Sequence, residues 1–239
     1  MWVNHDQLRT IAERYTPTLF ELLVASSSEE IARLEARAGP LPESYREFLG
    51  AMGNRCPFLE AEQMAYSPED LLELVYDDLE IDVPAGLVWI GVDKSGAGIS
   101  QFIRPSDGAV VRIEYYDGMT ARDAVAENSS LASYLLTAYV RRTLVPSHPF
   151  HFAAAFDGDD EQVRELWRRV DEACSHFTIS YPIDRPDFRF YGGDDFVVAL
   201  HRRPGSLVTY IYLGALERSR FEVWYDLIFG RWQLLRMPI

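Results

Sequence analysis

The pattern of apolar and polar positions changes along the chain from helical to extended. In residues 5–15 and 26–54, apolar side chains recur every three or four positions, which is typical of helices with one buried face. Between residues 87 and 115 the apolar residues form short runs separated by turns rich in glycine and proline, which indicates strands. This order predicts an α+β fold in which helices pack on an antiparallel sheet.

Residues 26–54 predict two short helices joined by a rigid corner. Ser27 and Glu30 have the spacing of a capping box, so the first helix begins there. Gly39 and the proline after it end this helix, and Pro42 suits the first turn of the next one. The second helix presents one apolar face, which consists of Tyr45, Phe48, Leu49 and Met52.

Further elements follow in the first part of the chain. The short apolar stretch 18–25 fits either a helix or a strand, and Ser67 with Pro68 predicts another helix start. A meander and a closing helix are predicted at Leu87–Val92, Ile99–Arg104, Ala109–Tyr115 and Ser130–Arg142. The facing apolar sides predict a core that contains Tyr45, Phe48, Leu49, Trp89, Ile90, Leu131 and Leu135.

The two prolines in Val145–Pro149 predict a linker, because proline removes backbone donors and stiffens the chain. It divides the chain into a domain of residues 1–145 and a smaller α+β unit of residues 146–239. In the second unit the acids at 157–161 lack the pattern of a calcium loop and are interpreted as the start of a helix. Strands are expected at about 175–181, 187–191, 195–201, 206–213, 220–226 and 231–236.

Composition restricts the class of partner. The net charge of the 239 residues is −14, which argues against binding to nucleic acid or to an anionic membrane. No apolar run approaches the roughly 18 residues that span a bilayer, and the N-terminus does not resemble a secretion signal. Two cysteines, Cys56 and Cys174, provide neither a metal cluster nor a disulfide framework, so a reducing cytoplasm is expected.

The acidic residues are unevenly distributed. Residues 1–145 carry 23 acids and 12 bases, whereas residues 146–239 carry 14 and 11. No base occurs between residues 60 and 82, so this acidic segment is the candidate partner-binding surface. Its candidate binding residues are Glu60, Glu62, Glu73, Asp77, Asp78, Glu80 and Asp82. The open alternative is a solvated helix face, in which Glu69 and Asp70 serve only the helix N-terminus.

Other patterns give no catalytic, cofactor-binding or metal-binding residues. His148 and His151 form at most half of a zinc site. The glycines from Gly91 to Gly98 precede an extended segment, so they indicate a hairpin turn and not a phosphate loop. Cys174 lies on the apolar stripe of a predicted helix and is expected in the core. The sequence therefore predicts a protein that is not an enzyme.

Four segments in order resemble the SUKH superfamily, which contains bacterial toxin-immunity proteins and fungal SMI/KNR-type regulators. They are Ser26–Asn54, Leu87–Asp93 with its glycine-rich turn, Val110–Asp117 and Ala126–Leu135, and they extend over about residues 26–142. Members often have Asn-Gly after the second helix. This chain has Gly53 and Asn54 there, and both accept left-handed backbone.

The resemblance implies a binding module in which helices pack on an antiparallel sheet, with no shared catalytic residues. It implies immunity to a polymorphic toxin, and the acidic segment favours a basic, nuclease-like target. One alternative is a regulatory or scaffold protein with a cellular partner. Another is a hydrolase or transferase built from scattered acids. A carboxylate pair in a deep pocket would favour the enzyme, and a broad acidic groove would favour binding.

Overall fold

The computed structural model describes residues 5–77, 83–94, 98–114, 124–179, 181–229 and 235–236. The chain forms two compact units, Met1–Ala138 and Tyr139–Ile239, each with its own antiparallel sheet. Both units combine helices with that sheet, which confirms the predicted α+β class. Within the described residues, no helix is both long enough and apolar enough to cross a membrane.

Most helices of the first unit lie before strand Val88–Asp93 in the chain. They are α1 (Asp6–Tyr15), α2 (Ser28–Ala38), α3 (Glu43–Met52), α4 (Pro57–Glu60), α5 (Pro68–Leu71) and, after the strands, α6 (Leu131–Tyr139). The first half of the ambiguous stretch 18–25 lies in a 3-10 helix, Pro17–Glu21, and the second half contains an isolated bridge between Val24 and Arg55. After α5 the chain continues as a π-helix, Leu72–Asp77.

The predicted corner between α2 and α3 is present. The Glu30 N–H donates to Ser27 Oγ over 3.2 Å, and the Ser27 N–H donates to the Glu30 carboxylate over 2.6 Å. This is the expected capping box, which satisfies two donors at the start of α2. Gly39 ends α2 with a φ of 84°, which residues with a Cβ atom rarely adopt.

Gly53 and Asn54, which can both accept left-handed backbone, do not adopt it. Gly53 has a φ of −69°, and among the described non-glycine residues only Gln63 has a positive φ. Glycine is required instead by close approach, because an added Cβ would lie 2.4 Å from Ser26 Oγ. Ser26 Oγ also donates to Asn54 Oδ1 over 3.0 Å, which fixes the end of α3 beside the start of α2.

The sheet of the first unit is the predicted meander. Its strands are β1 (Met64–Ala65), β2 (Val88–Asp93), β3 (Ile99–Ile103), β4 (Val110–Glu114) and β5 (Val125–Asn128). They pair in sequence order, and every neighbouring pair is antiparallel. Trp89 lies opposite Phe102, with 4.8 Å between ring centroids. A bulge between Trp89 and Gly91 shifts the register.

The predicted core of the first unit is confirmed. The residues expected there are at most 5% exposed: Tyr45, Phe48, Leu49, Trp89, Ile90, Leu131 and Leu135. Tyr45 stacks on Phe48 at 6.0 Å, and Tyr66 meets Phe48 edge-on at 6.1 Å. The apolar face read from α3 is therefore its buried face.

The second unit contains a six-stranded sheet and two long helices. Its elements are β6 (Phe150–Asp157), α7 (Asp160–Ser175), β7 (Tyr181–Asp184), β8 (Phe188–Gly192), β9 (Phe196–Arg202), β10 (Val208–Ala215), α8 (Arg218–Phe229) and β11 (Leu235–Arg236). The strand order is β11-β6-β10-β9-β8-β7, and all pairs are antiparallel. The segment Val145–Pro149 lies within this unit, after a π-helix at Val140–Leu144.

Two strand predictions in this unit are wrong. The expected strand at 220–226 is part of α8, because Phe221, Trp224, Tyr225 and Ile228 recur at helical spacing. The expected strand at 175–181 is also incorrect, since α7 extends to Ser175 and β7 begins at Tyr181. In addition, no strand was predicted for β6, which is the neighbour of β10 in the sheet.

Helices α7 and α8 cover one face of the second sheet. The core beneath them combines α7, α8, β6, β9 and β10 and includes the buried Trp224. The Trp224 ring lies 4.8 Å from the rings of both Phe177 and Phe196. Asp159 caps α7 by accepting from the N–H groups of Glu161 and Gln162, as the interpretation of the acids at 157–161 predicted.

Candidate partner-binding surface

The acidic segment 60–82 begins at the end of α4 and includes the π-helix. Glu60 is exposed at the last position of α4, Glu62 is half-buried in the following turn, and Glu73 is exposed on the π-helix. Asp77 ends the π-helix. The other candidate residues, Asp78, Glu80 and Asp82, lie outside the described residues. The assignment of this set to a partner surface stays a prediction.

A buried tyrosine positions the first acid of the segment. Tyr66 is 4% exposed, and its hydroxyl accepts a hydrogen bond from the Cys56 backbone N–H. The same hydroxyl lies 3.3 Å from the Cys56 carbonyl oxygen and 3.4 Å from a Glu60 carboxylate oxygen. Burial raises the pKa of Tyr66, so the phenol stays protonated and able to donate.

Helix geometry explains two further acids. Ser67 Oγ accepts from the Asp70 N–H over 3.1 Å and thereby caps α5. Glu69 and Asp70 lie in the first turn of this helix, where negative charge interacts favourably with the helix dipole. Glu69 is nevertheless exposed, and neither Glu69 nor Glu73 has an ion pair within the described part of the chain.

Two cations from distant parts of the sequence adjoin this segment. Lys94 Nζ lies 3.4 Å from the Asp70 carboxylate, and the Lys94 backbone N–H donates to the Gln63 carbonyl oxygen over 2.7 Å. Arg37 Nη2 donates to the carbonyl oxygen of Tyr76, near the end of the π-helix, over 2.8 Å. The segment that contains no base in sequence thus has two bases beside it in space.

Of the acids of this segment that the structure describes, Glu69 and Glu73 carry negative charge that no ion pair offsets. These residues are four positions apart and both are exposed. Leu74 follows Glu73 on the π-helix and is 41% exposed. Carboxylates next to an exposed apolar side chain provide electrostatic and apolar contacts to one partner. Within the described residues of the acidic segment, this group is accessible to a partner, as is Glu60.

A further charged cluster lies on the sheet of the first unit. Arg112 on β4 has one guanidinium nitrogen 3.1 Å from Glu114 and another 3.2 Å from Glu127 on β5. Glu127 is 7% exposed, so this pair is largely removed from water. Spacing along the sequence gave no signal for the cluster, because the contact depends on the pairing of β4 with β5.

The histidines and cysteines do not assemble a reactive centre. His148 Nδ1 lies 2.9 Å from the Leu144 carbonyl oxygen, and His151 Nδ1 lies 2.7 Å from the His148 carbonyl oxygen. In the described ranges, no three His, Cys, Asp or Glu side chains are placed to hold a metal. Cys56 and Cys174 are buried, which raises the pKa of both thiols, that of Cys174 to about 12.

A cavity of about 350 Å³ lies against α7 and α8 in the second unit. Its lining contains one carboxylate, Glu172, which forms an ion pair with Arg168. This arrangement lacks the pair of carboxylates that acid–base hydrolysis uses. Comparison with protein families, with curated proteins and with solved structures finds no match to this chain.

Proposed function

We propose that this chain is a non-enzymatic, cytoplasmic protein-binding module of the SUKH type that acts as an immunity protein. Its target is a basic, nuclease-like toxin. The observation that carries this proposal is the accessible group of Glu69, Glu73 and Leu74 on the first unit. The resemblance over about residues 26–142 adds the expectation that the partner is a toxin.

The physical reason for a basic target is charge complementarity. A nuclease must bind phosphate groups and therefore carries a positive active-site surface. A protein with a net charge of −14 attracts such a surface at long range, and exposed carboxylates take the place of phosphates at contact. Binding across the active site then excludes the nucleic acid.

The chemistry of the described residues supports binding over catalysis. The buried thiols are held in the protonated form, which is a poor nucleophile. Glu114 and Glu127 share the guanidinium of Arg112, so these two acids are committed to an ion pair. By contrast, Glu69 and Glu73 are exposed to solvent, where a partner can reach them.

Co-expression with the product of the gene immediately upstream tests this proposal. We expect that product to stop bacterial growth when expressed alone and to be neutralised by co-expression of this chain. The double variant Glu69→Lys/Glu73→Lys should protect less well. The matched control is Asp157→Lys/Glu217→Lys, which reverses two exposed acids of the second unit, one of them just before a helix. An upstream product that is harmless, or that kills despite this chain, would contradict the proposal.

A further inference from the structure

Lys94 is the single lysine of the chain, and its ammonium group lies beside the candidate surface. Its Nζ atom is 3.4 Å from each of the two carboxylate oxygens of Asp70. Charge-assisted hydrogen bonds between nitrogen and oxygen are usually about 2.7–2.9 Å long, so this contact is loose. Both side chains also remain partly in water, with 51% of the lysine and 35% of the aspartate exposed. The pair is therefore weak and easily exchanged.

The backbone fixes Lys94 in this position independently of its side chain. Its N–H donates to the Gln63 carbonyl oxygen over 2.7 Å, one residue beyond the pairing of Met64 with Asp93 between β1 and β2. Gln63 has a φ of 58°, and it is the only non-glycine residue with a positive φ in the described ranges. Such a conformation is held by the contacts around it. Replacing the Lys94 side chain should therefore leave this turn in place.

Asp70 adds a third carboxylate to those of Glu69 and Glu73 when Lys94 moves away. Asp70 follows Glu69 directly and lies three positions before Glu73, and side chains at that spacing are neighbours on a helix. Among the residues that the structure describes, Lys94 is the one cation paired with any of these three acids. The lysine thus reduces the negative charge that the candidate surface presents to a partner.

An arginine of the partner is the side chain that fits an exchange at Asp70 best. A guanidinium group binds both oxygens of one carboxylate through two parallel hydrogen bonds, whereas an ammonium group acts as a point charge. An incoming arginine therefore gains more from Asp70 than Lys94 loses. We propose that Lys94 is an internal competitor for Asp70, which an arginine of the basic partner displaces on binding. This inference rests on the proposed function, since it takes the partner to be a basic protein.

Binding of a synthetic hexa-arginine peptide to the full chain, measured by calorimetric titration at low ionic strength, tests the competition. Lys94→Gln should bind the peptide about threefold more tightly than the wild type, because Asp70 is then free. Lys94→Arg should bind it about threefold more weakly, because the introduced guanidinium holds Asp70 through two hydrogen bonds. This second variant keeps the net charge of the wild type, so total charge cannot explain its effect.

The matched control is Arg9→Gln, which removes the cation of another exposed ion pair in the same unit. Arg9 contacts Glu13 over 2.7 Å, and its side chain is as exposed as that of Lys94. This variant lowers the net charge equally and also frees one carboxylate, but away from the acidic segment, so the peptide affinity should change much less. In the background of Asp70→Asn, Lys94→Gln should no longer raise the affinity, because no carboxylate remains to be released.

Three outcomes would each overturn the inference. They are a Lys94→Gln variant that binds no more tightly than Arg9→Gln, a Lys94→Arg variant that binds as tightly as the wild type, and a gain from Lys94→Gln that persists with Asp70→Asn. Circular dichroism checks that each variant is folded. The peptide takes the place of the partner in this assay, so the result does not depend on the upstream gene product. A failure of neutralisation in co-expression therefore contradicts the proposed function alone, and a failure of these variants contradicts the competition alone.

Discussion

Phe48 is the residue on which the aromatic core of the first unit depends most directly. It is 2% exposed and contacts the rings of both Tyr45 and Tyr66. Removing its ring leaves a cavity that these neighbours cannot fill without moving. We therefore expect Phe48→Ala to lower the free energy of unfolding by about 3–5 kcal/mol.

Urea unfolding of the full chain measures this loss. Leu22→Ala is the control, because Leu22 belongs to the same unit and is 42% exposed. Its effect should stay within about 0.5 kcal/mol. A loss below about 1 kcal/mol for Phe48→Ala would show that the surrounding side chains collapse into the space or that the ring contributes little.

His148 links stability to pH. It is 5% exposed, and burial lowers its pKa below the ordinary value of 6.5. As pH falls below about 6.5, the unfolded chain binds a proton that the folded chain excludes. The contribution of neutral His148 to the free energy of unfolding is therefore complete above that pH. It is lost as pH falls, and the free energy of unfolding then decreases by at most about 1.4 kcal/mol per pH unit.

Unfolding free energies at about pH 7.5 and about pH 5.5 measure this dependence, which His148→Gln should make shallower. If His148→Gln follows the wild-type curve, His148 does not contribute to the pH response.

The residues of the candidate surface were only partly predictable. The acids between Glu60 and Glu73 were visible as a segment without bases. Lys94 and Arg37, which adjoin that segment in space, were not, because their contacts arise from tertiary packing. The exposed Leu74 was also missed, since a single apolar residue beside acids carries no periodic signal.

Secondary-structure elements were predicted well where local signals agree. The capping box at Ser27 and the apolar face of α3 both specify helix, and the structure has helix there. In α8 the signals conflict, because aromatic residues favour strands whereas their spacing is helical. The segment forms a helix because helical spacing places Trp224 and Ile228 on the same side, where both enter the core.

The elements that were missed depend on non-local contacts. β6 contains a run of three alanines, which have low strand propensity, yet all eight of its residues pair with β10.

The two π-helices, Leu72–Asp77 and Val140–Leu144, extend α5 and α6 by a wider turn. Apolar spacing does not separate such short π-segments from α-helix, so sequence periodicity gave no warning of them.

At the scale of the whole molecule, net charge is the property that the sequence specifies most directly. The net charge does not specify where on the surface the electrostatic field is strongest, because acids in ion pairs contribute less to that field than unpaired acids. Asp70 is offset by Lys94, and Glu35 is offset by Arg46. The exposed carboxylates of Glu69 and Glu73 are not offset in this way within the described residues, so their charge should contribute to the approach of a basic partner.

Association kinetics with the neutralised toxin test this difference. Glu69→Lys/Glu73→Lys should slow association about tenfold at low ionic strength, where the Debye length is about 30 Å. The effect should become small in about 1 M salt, where that length is about 3 Å. Dissociation should change much less, because charges at the rim of an interface act mainly on encounter. The control Asp157→Lys/Glu217→Lys carries the same change in net charge on the second unit. If both variants slow association equally, total charge and not the surface around Glu73 steers the partner.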